Sequence, residues 1–97
     1  VIESLMSVVP ERTVAGFYRT SAGAEVDLVL ELPGGDRWAI EIKRSVTAKP
    51  SRGFYQSIED LKPQRAIVVH ANSDKYAMGN GIQVIGFAEL SRELKHL

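Results

Sequence analysis

Two stretches of the chain alternate charged and apolar residues with a period of two. In the first, Glu25 and Asp27 interleave with Val26 and Leu28, and Leu30 and Leu32 continue the apolar series. In the second, Glu41 and Lys43 interleave with Trp38, Ile40 and Ile42. Successive side chains on a strand point to opposite faces. Each run therefore reads as a strand, from about 24 to 32 and from about 37 to 43, with one charged and one apolar face. Pro33-Gly34-Gly35-Asp36 between them is turn chemistry, so the pair reads as a hairpin. The register that best matches the charges sets Glu31 against Arg37, Asp27 against Glu41 and Glu25 against Lys43.

The rest of the pattern supplies further elements. Residues 1–8 read as the end of a helix that Pro10 stops. Residues 13–20 read as a first strand, turned by Ser21-Ala22-Gly23. Behind a Ser51 N-cap, Phe54, Ile58 and Leu61 recur at helical spacing up to Pro63. Ala66-Ile67-Val68-Val69 is an uninterrupted apolar run, the mark of a strand buried on both faces. After a loop over 72–81, residues 82–85 read as a fifth strand. A closing helix from about residue 87 presents Leu90, Leu94 and Leu97 on one side. The order is α-β-β-β-α-β-β-α, an α/β sandwich on a mixed central sheet.

At 97 residues the chain reads as one domain, 1–97, with 44% hydrophobic and 25% charged residues. It has no cysteine, which excludes disulfides, thiolate metal sites and cysteine nucleophiles. No apolar run approaches the ~20 residues that span a bilayer, and no secretory pattern opens the chain, so a cytoplasmic location and no membrane partner are expected. The first residue is Val1, which suits a piece of a longer protein.

Net charge is zero, against a general nucleic-acid-coating protein. Its distribution is uneven. Residues 1–42 hold seven acids and three bases, whereas residues 43–65 hold six bases and two acids. An acidic cluster beside a basic segment suits a metal-dependent site that meets phosphate, and equally a self-complementary surface in a homodimer.

The Asp27–Glu41 pairing places two carboxylates side by side, which costs a few tenths to ~1 kcal/mol on an open sheet face. A divalent cation converts that repulsion into coordination, because hard ions take carboxylate and carbonyl oxygens. The competing reading is a solvated, amphipathic hairpin, with Lys43 in a cross-strand ion pair to Glu25.

With this element order, an acid on the second strand and Glu-x-Lys on the third, the chain resembles the PD-(D/E)XK nuclease superfamily. More specifically, Arg19-Thr20-Ser21-Ala22-Gly23-Ala24-Glu25-Val26-Asp27 followed by Ala39-Ile40-Glu41-Ile42-Lys43 resembles a domain of unknown function. That domain forms the C-terminal part of many prokaryotic AAA-type ATPases. The resemblance runs from about Phe17 to the final helix. It implies a restriction-endonuclease-like sandwich belonging with an N-terminal ATPase domain, and Mg²⁺- or Mn²⁺-dependent hydrolysis of DNA or RNA phosphodiesters. Residue by residue, Asp27 and Glu41 match the metal-binding acids and Lys43 the motif lysine. The Ile42 carbonyl would complete the metal set, with Glu25 as an added ligand and Glu3 as a weaker one. Arg44, Lys49 and Arg52 would hold the nucleic-acid backbone. Val26 stands where the superfamily has its nominal proline, and Gln56 loosely matches the helical glutamine of some branches. The alternative is a non-catalytic module of the same ATPase that docks a partner, dimerises or regulates the motor. No Gly-x-x-x-x-Gly-Lys-Ser/Thr loop occurs, so ATP hydrolysis is not expected here.

Other residues have simpler readings. His70 fits a hydrogen-bonded histidine at a strand end, and His96 a cation favoured by a helix C-terminus. Trp38 and Phe17 both read as core residues.

Overall fold

The computed structural model describes residues 5–43, 50–70, 76–77 and 81–97. Its elements are β1 (Val14–Arg19), β2 (Glu25–Glu31), β3 (Arg37–Lys43), α1 (Arg52–Leu61), β4 (Arg65–His70), β5 (Tyr76–Ala77), β6 (Ile82–Gly86) and α2 (Phe87–Lys95). The strands form one six-stranded sheet in the order β1-β2-β3-β4-β6-β5. β3, β4 and β6 run parallel, and the remaining neighbours are antiparallel. This is the mixed central sheet that the sequence pattern predicts.

Both hairpins turn on three residues with glycine last. Gly23 adopts φ 102° and Gly35 φ 95°, a conformation that only glycine takes at little cost. In each loop a backbone pair closes the base, Thr20 N–H to the Ala24 carbonyl and Leu32 N–H to that of Asp36. The β2–β3 ladder then has the expected register, from Glu31↔Arg37 to Leu28↔Ile40.

The apolar core lies in two clusters, one on each face of the sheet. α1 covers one of them, with Phe54, Ile58 and Leu61 against Val26, Ala39, Ala66, Val68, Ile82 and Val84. α2 covers the other, with Leu90 and Leu94 packed with Leu28, Leu30, Trp38, Ile40, Ile67 and Ile85; Leu5 joins them from the N-terminal segment. The alternation of β4, with Ala66 and Val68 in one cluster and Ile67 and Val69 in the other, explains its unbroken apolar run.

Helix α1 begins where Ser51 caps it, its Oγ accepting the Phe54 N–H at 3.1 Å. It ends at Lys62, which takes a left-handed conformation (φ 48°). Pro63 disfavours the helical region for the residue before it, so the stop is steric.

Four expectations change. The strict alternation along β2 fails, because Val26 joins the α1-side cluster while Leu28 and Leu30 join the α2-side one. The cause is a β-bulge: Gly16 pairs with Val29 and Tyr18 with Val26, so Asp27 and Leu28 together oppose Phe17. Phe17 is not core; it lies on edge strand β1 and is 76% exposed. The loop expected over 72–81 contains the short strand β5. Leu97 falls beyond the end of α2 and is exposed, leaving Leu90 and Leu94 as its buried pair. Of the N-terminal helix, the described part is a helical turn at Leu5 and Met6, with the Val8 N–H donating to the Leu5 carbonyl; residues 1–4 lie outside the described residues.

Candidate functional site

The bulge and the end of the β2–β3 ladder meet at Asp27. Beyond Leu28↔Ile40 no further backbone pair joins the two strands. Instead the Asp27 carboxylate accepts the Ile42 N–H at 2.8 Å. A side chain thus replaces the backbone partner that a continuing ladder would supply, and it sets an anion at the amide between Glu41 and Lys43. Bulges commonly re-aim a side chain in this way beside functional sites.

Glu41 lies on the α1 side of β3, in step with Ala39, and is buried at 7% exposure. It is one of only two buried polar residues among the described ones, the other being Ser57. Its Oε2 accepts the Ser51 N–H at 3.0 Å, and Lys43 Nζ lies 3.7 Å from its Oε1. A buried carboxylate is costly unless hydrogen-bonded or paired, and here it is both. Ser51 therefore serves twice, capping α1 with its hydroxyl and holding Glu41 with its amide. Nothing in the sequence pattern pointed to the second role, because Ser51 lies ten residues from Glu41.

The other predicted residues divide. Glu25 is exposed, and its Oε1 pairs with Arg19 at 3.0 Å rather than with Lys43. The cross-strand Glu25–Lys43 pair is therefore replaced by two others, Arg19–Glu25 and Lys43–Glu41. Among the described residues no three His, Asp or Glu side chains converge as a metal-binding group, so Glu25, Asp27 and Glu41 do not form a triple cluster. Arg52 opens α1 and is exposed. Gln56 donates to Asp60 at 3.2 Å, on the exposed side of α1. Glu3, Arg44 and Lys49 lie outside the described residues.

His70 ends β4, paired with Lys43 on one side and Gly86 on the other. Paired residues on neighbouring strands share a face, so the histidine lies beside Lys43. The 27 positions that separate them hide this proximity in the sequence; the parallel β3–β4 pairing is what brings the histidine there.

Gly53 fixes how α1 sits over this region. A Cβ at that position would lie 2.7 Å from the Gly23 carbonyl oxygen and 3.3 Å from the Glu25 Cβ. The first turn of α1 therefore rests directly on the start of β2, while its cap residue reaches Glu41 on β3. On the same flank Tyr18 donates its hydroxyl to Asp60 at 3.0 Å. Desolvation, followed by the Asp60 hydrogen bond and charge, pushes the Tyr18 phenol above its ordinary value of 10.0.

No helix among the described residues is long and apolar enough to cross a membrane. No curated protein and no solved structure matches the chain. A family model described as "Domain of unknown function (DUF4143)" matches residues 1–90. That span is nearly the whole chain and includes the bulged strand, the Glu-x-Lys strand and the capped helix, so the chain belongs to the DUF4143 family.

Proposed function

We propose that this domain is a PD-(D/E)XK nuclease-like module that hydrolyses nucleic-acid phosphodiesters with a divalent metal ion. The observation that carries the reading is the Asp27 carboxylate held on the Ile42 amide, between Glu41 and Lys43. It brings an acid of β2 to the two motif residues of β3 where the ladder gives way.

The donor set fits Mg²⁺ or Mn²⁺. Mg²⁺ is usually bound through one or two carboxylates, with water and substrate phosphate in its remaining positions, so two acids suffice. Asp27, Glu41 and the Ile42 carbonyl would hold the ion. When bound, it supplies positive charge that polarises the phosphodiester and lowers the pKa of water. Glu41 is held for this task by the Ser51 N–H, and Asp27 by the Ile42 N–H, so neither carboxylate needs to find its orientation when substrate arrives. Lys43 places its ammonium beside Glu41, where it can meet negative charge developing on the phosphoryl oxygens.

Cleavage of labelled single-stranded, double-stranded and branched DNA, and of RNA, with Mg²⁺ or Mn²⁺ tests the reading. Wild type should cut, and Glu41→Ala and Lys43→Ala should not. Cleavage that survives both substitutions, or none by the folded wild type, counts against it.

One observation favours a second reading, a docking module of an AAA-type ATPase. β1 is an edge strand, and it carries Val14 and Phe17, two of the four exposed large hydrophobics among the described residues. Edge strands with exposed apolar side chains are templates for pairing with another chain. Binding of the separately expressed ATPase domain, lost in Phe17→Ser, would support that role.

A further inference from the structure

The first turn of α1 touches two charged groups that lie far apart in sequence. At Ser51 it holds Glu41. Two residues on, about 3 Å along a helix axis, Gly53 rests against the backbone and Cβ of Glu25. The Glu25 carboxylate in turn holds Arg19, whose side chain is 68% exposed. Arg52, also exposed, lies between those two contact points. The fold thus brings Arg52 and the Arg19–Glu25 pair to the helix turn that holds Glu41, from segments 33 positions apart. Only Arg52 belongs to the basic segment of the chain; Arg19 comes from its acidic half.

The Arg19–Glu25 pair has the chemistry of a replaceable contact. A guanidinium binds carboxylate and phosphate oxygens through the same donors. An exposed pair contributes little to stability, so exchanging one anion for another costs little. We propose that Arg19, with Arg52 beside it, is a phosphodiester-backbone contact of this site, and that Glu25 holds Arg19 in position and competes with the phosphate for it. The inference rests on the nuclease-like reading for its substrate class, but it concerns binding alone. It also gives Glu25 a different role from that of a metal ligand.

Binding of short fluorescent DNA and RNA oligonucleotides, followed by anisotropy in a metal chelator over a range of salt, separates this role from hydrolysis. Each lost phosphate contact lowers the slope of log K against log salt by about 0.7–0.9. Arg19→Gln and Arg52→Gln should each show that loss, with several-fold weaker binding. Glu25→Gln should do the reverse, tightening binding by roughly two- to fivefold because it frees Arg19 from its competitor. A purely structural role for the pair would make Arg19→Gln and Glu25→Gln move together. An unchanged slope in Arg19→Gln, weaker binding in Glu25→Gln, or no binding by wild type overturns the proposal. A domain that binds in this pattern but never cuts keeps the arginine contact and loses the hydrolytic reading. One that cuts but binds independently of Arg19 does the opposite.

Discussion

The Asp27 carboxylate accepts the Ile42 N–H at 2.8 Å, at the point where backbone pairing between β2 and β3 stops. One hydrogen bond thereby terminates a ladder and positions an acid. The two roles can be separated by substitution. Asp27→Asn retains an oxygen that accepts the amide but loses the charge, whereas Asp27→Ala loses both.

If these carboxylates hold a divalent ion, metal stabilises the folded domain by mass action, about 2.7 kcal/mol at a hundredfold excess over Kd. Thermal melting with Mg²⁺ or Mn²⁺ should show a rise in Tm for wild type and none for Asp27→Asn or Glu41→Gln. Without metal, Asp27→Asn should melt close to wild type, and Asp27→Ala about 1 kcal/mol less stably, for want of the Ile42 acceptor. A metal-induced rise that persists in Asp27→Asn would remove Asp27 from the ligand set.

Gly53 poses a conflict between local and tertiary preference. Alanine in a helix is favoured over glycine by about 1 kcal/mol. At this position, however, the added methyl would lie 2.7 Å from the Gly23 carbonyl oxygen, a backbone atom that cannot swing away. Overpacking of this kind typically costs about 1–3 kcal/mol. Gly53→Ala should therefore lower the urea midpoint, while Gln56→Ala, on the exposed side of the same helix, should stay close to wild type. A stabilised Gly53→Ala would mean that α1 sits further from β2 than described.

How far the sequence could be read depended on whether one signal or two decided a position. The β2–β3 register was legible because turn chemistry and the Glu31–Arg37 charge match agree, and both recur in the ladder and its ion pair. The ends of α1 were legible for the same reason, from Ser51 and Pro63. Alternation alone misled along β2, because a bulge moves one residue without leaving a mark in composition. It also misled at Phe17, since an apolar residue on an edge strand looks like one in the core until the neighbours are known. The site was half legible. Spacing singled out Asp27, Glu41 and Lys43 as candidates, whereas Ser51, Gly53, Arg19 and His70 reach the region only through helix docking and strand pairing.

Arg65 is the next test, on the opposite face of the sheet. Its guanidinium lies 4.4 Å from the centre of the Trp38 ring, pairs with Glu93 at 3.1 Å and donates to Gln83 at 2.6 Å. Both members of the Arg65–Glu93 pair are about three-quarters buried, so solvent screens them less than a surface pair. Arg65→Ala should cost on the order of 1–3 kcal/mol by urea denaturation. A double-mutant cycle with Glu93→Gln should give a coupling of about 0.5–1 kcal/mol. Zero coupling would assign the loss to the Trp38 and Gln83 contacts alone.

Stability at high pH should depend on Tyr18. Its phenol is raised above 10.0 in the folded state by desolvation and by the hydrogen bond and charge of Asp60. The folded state therefore keeps this proton at a pH where the unfolded state has released it. The associated stability is fully present below the unfolded value and is lost as pH rises from there through the folded one. Phenylalanine cannot titrate, so Tyr18→Phe should be less stable than wild type near neutral pH and lose less between about pH 9 and 12. Denaturant midpoints across that range would measure the difference, and Asp60→Asn should shift the wild-type curve in the same direction by removing the charge that opposes ionisation. If wild type and Tyr18→Phe fall in parallel, the Tyr18–Asp60 contact does not persist in solution, and α1 is held to β1 by apolar packing alone.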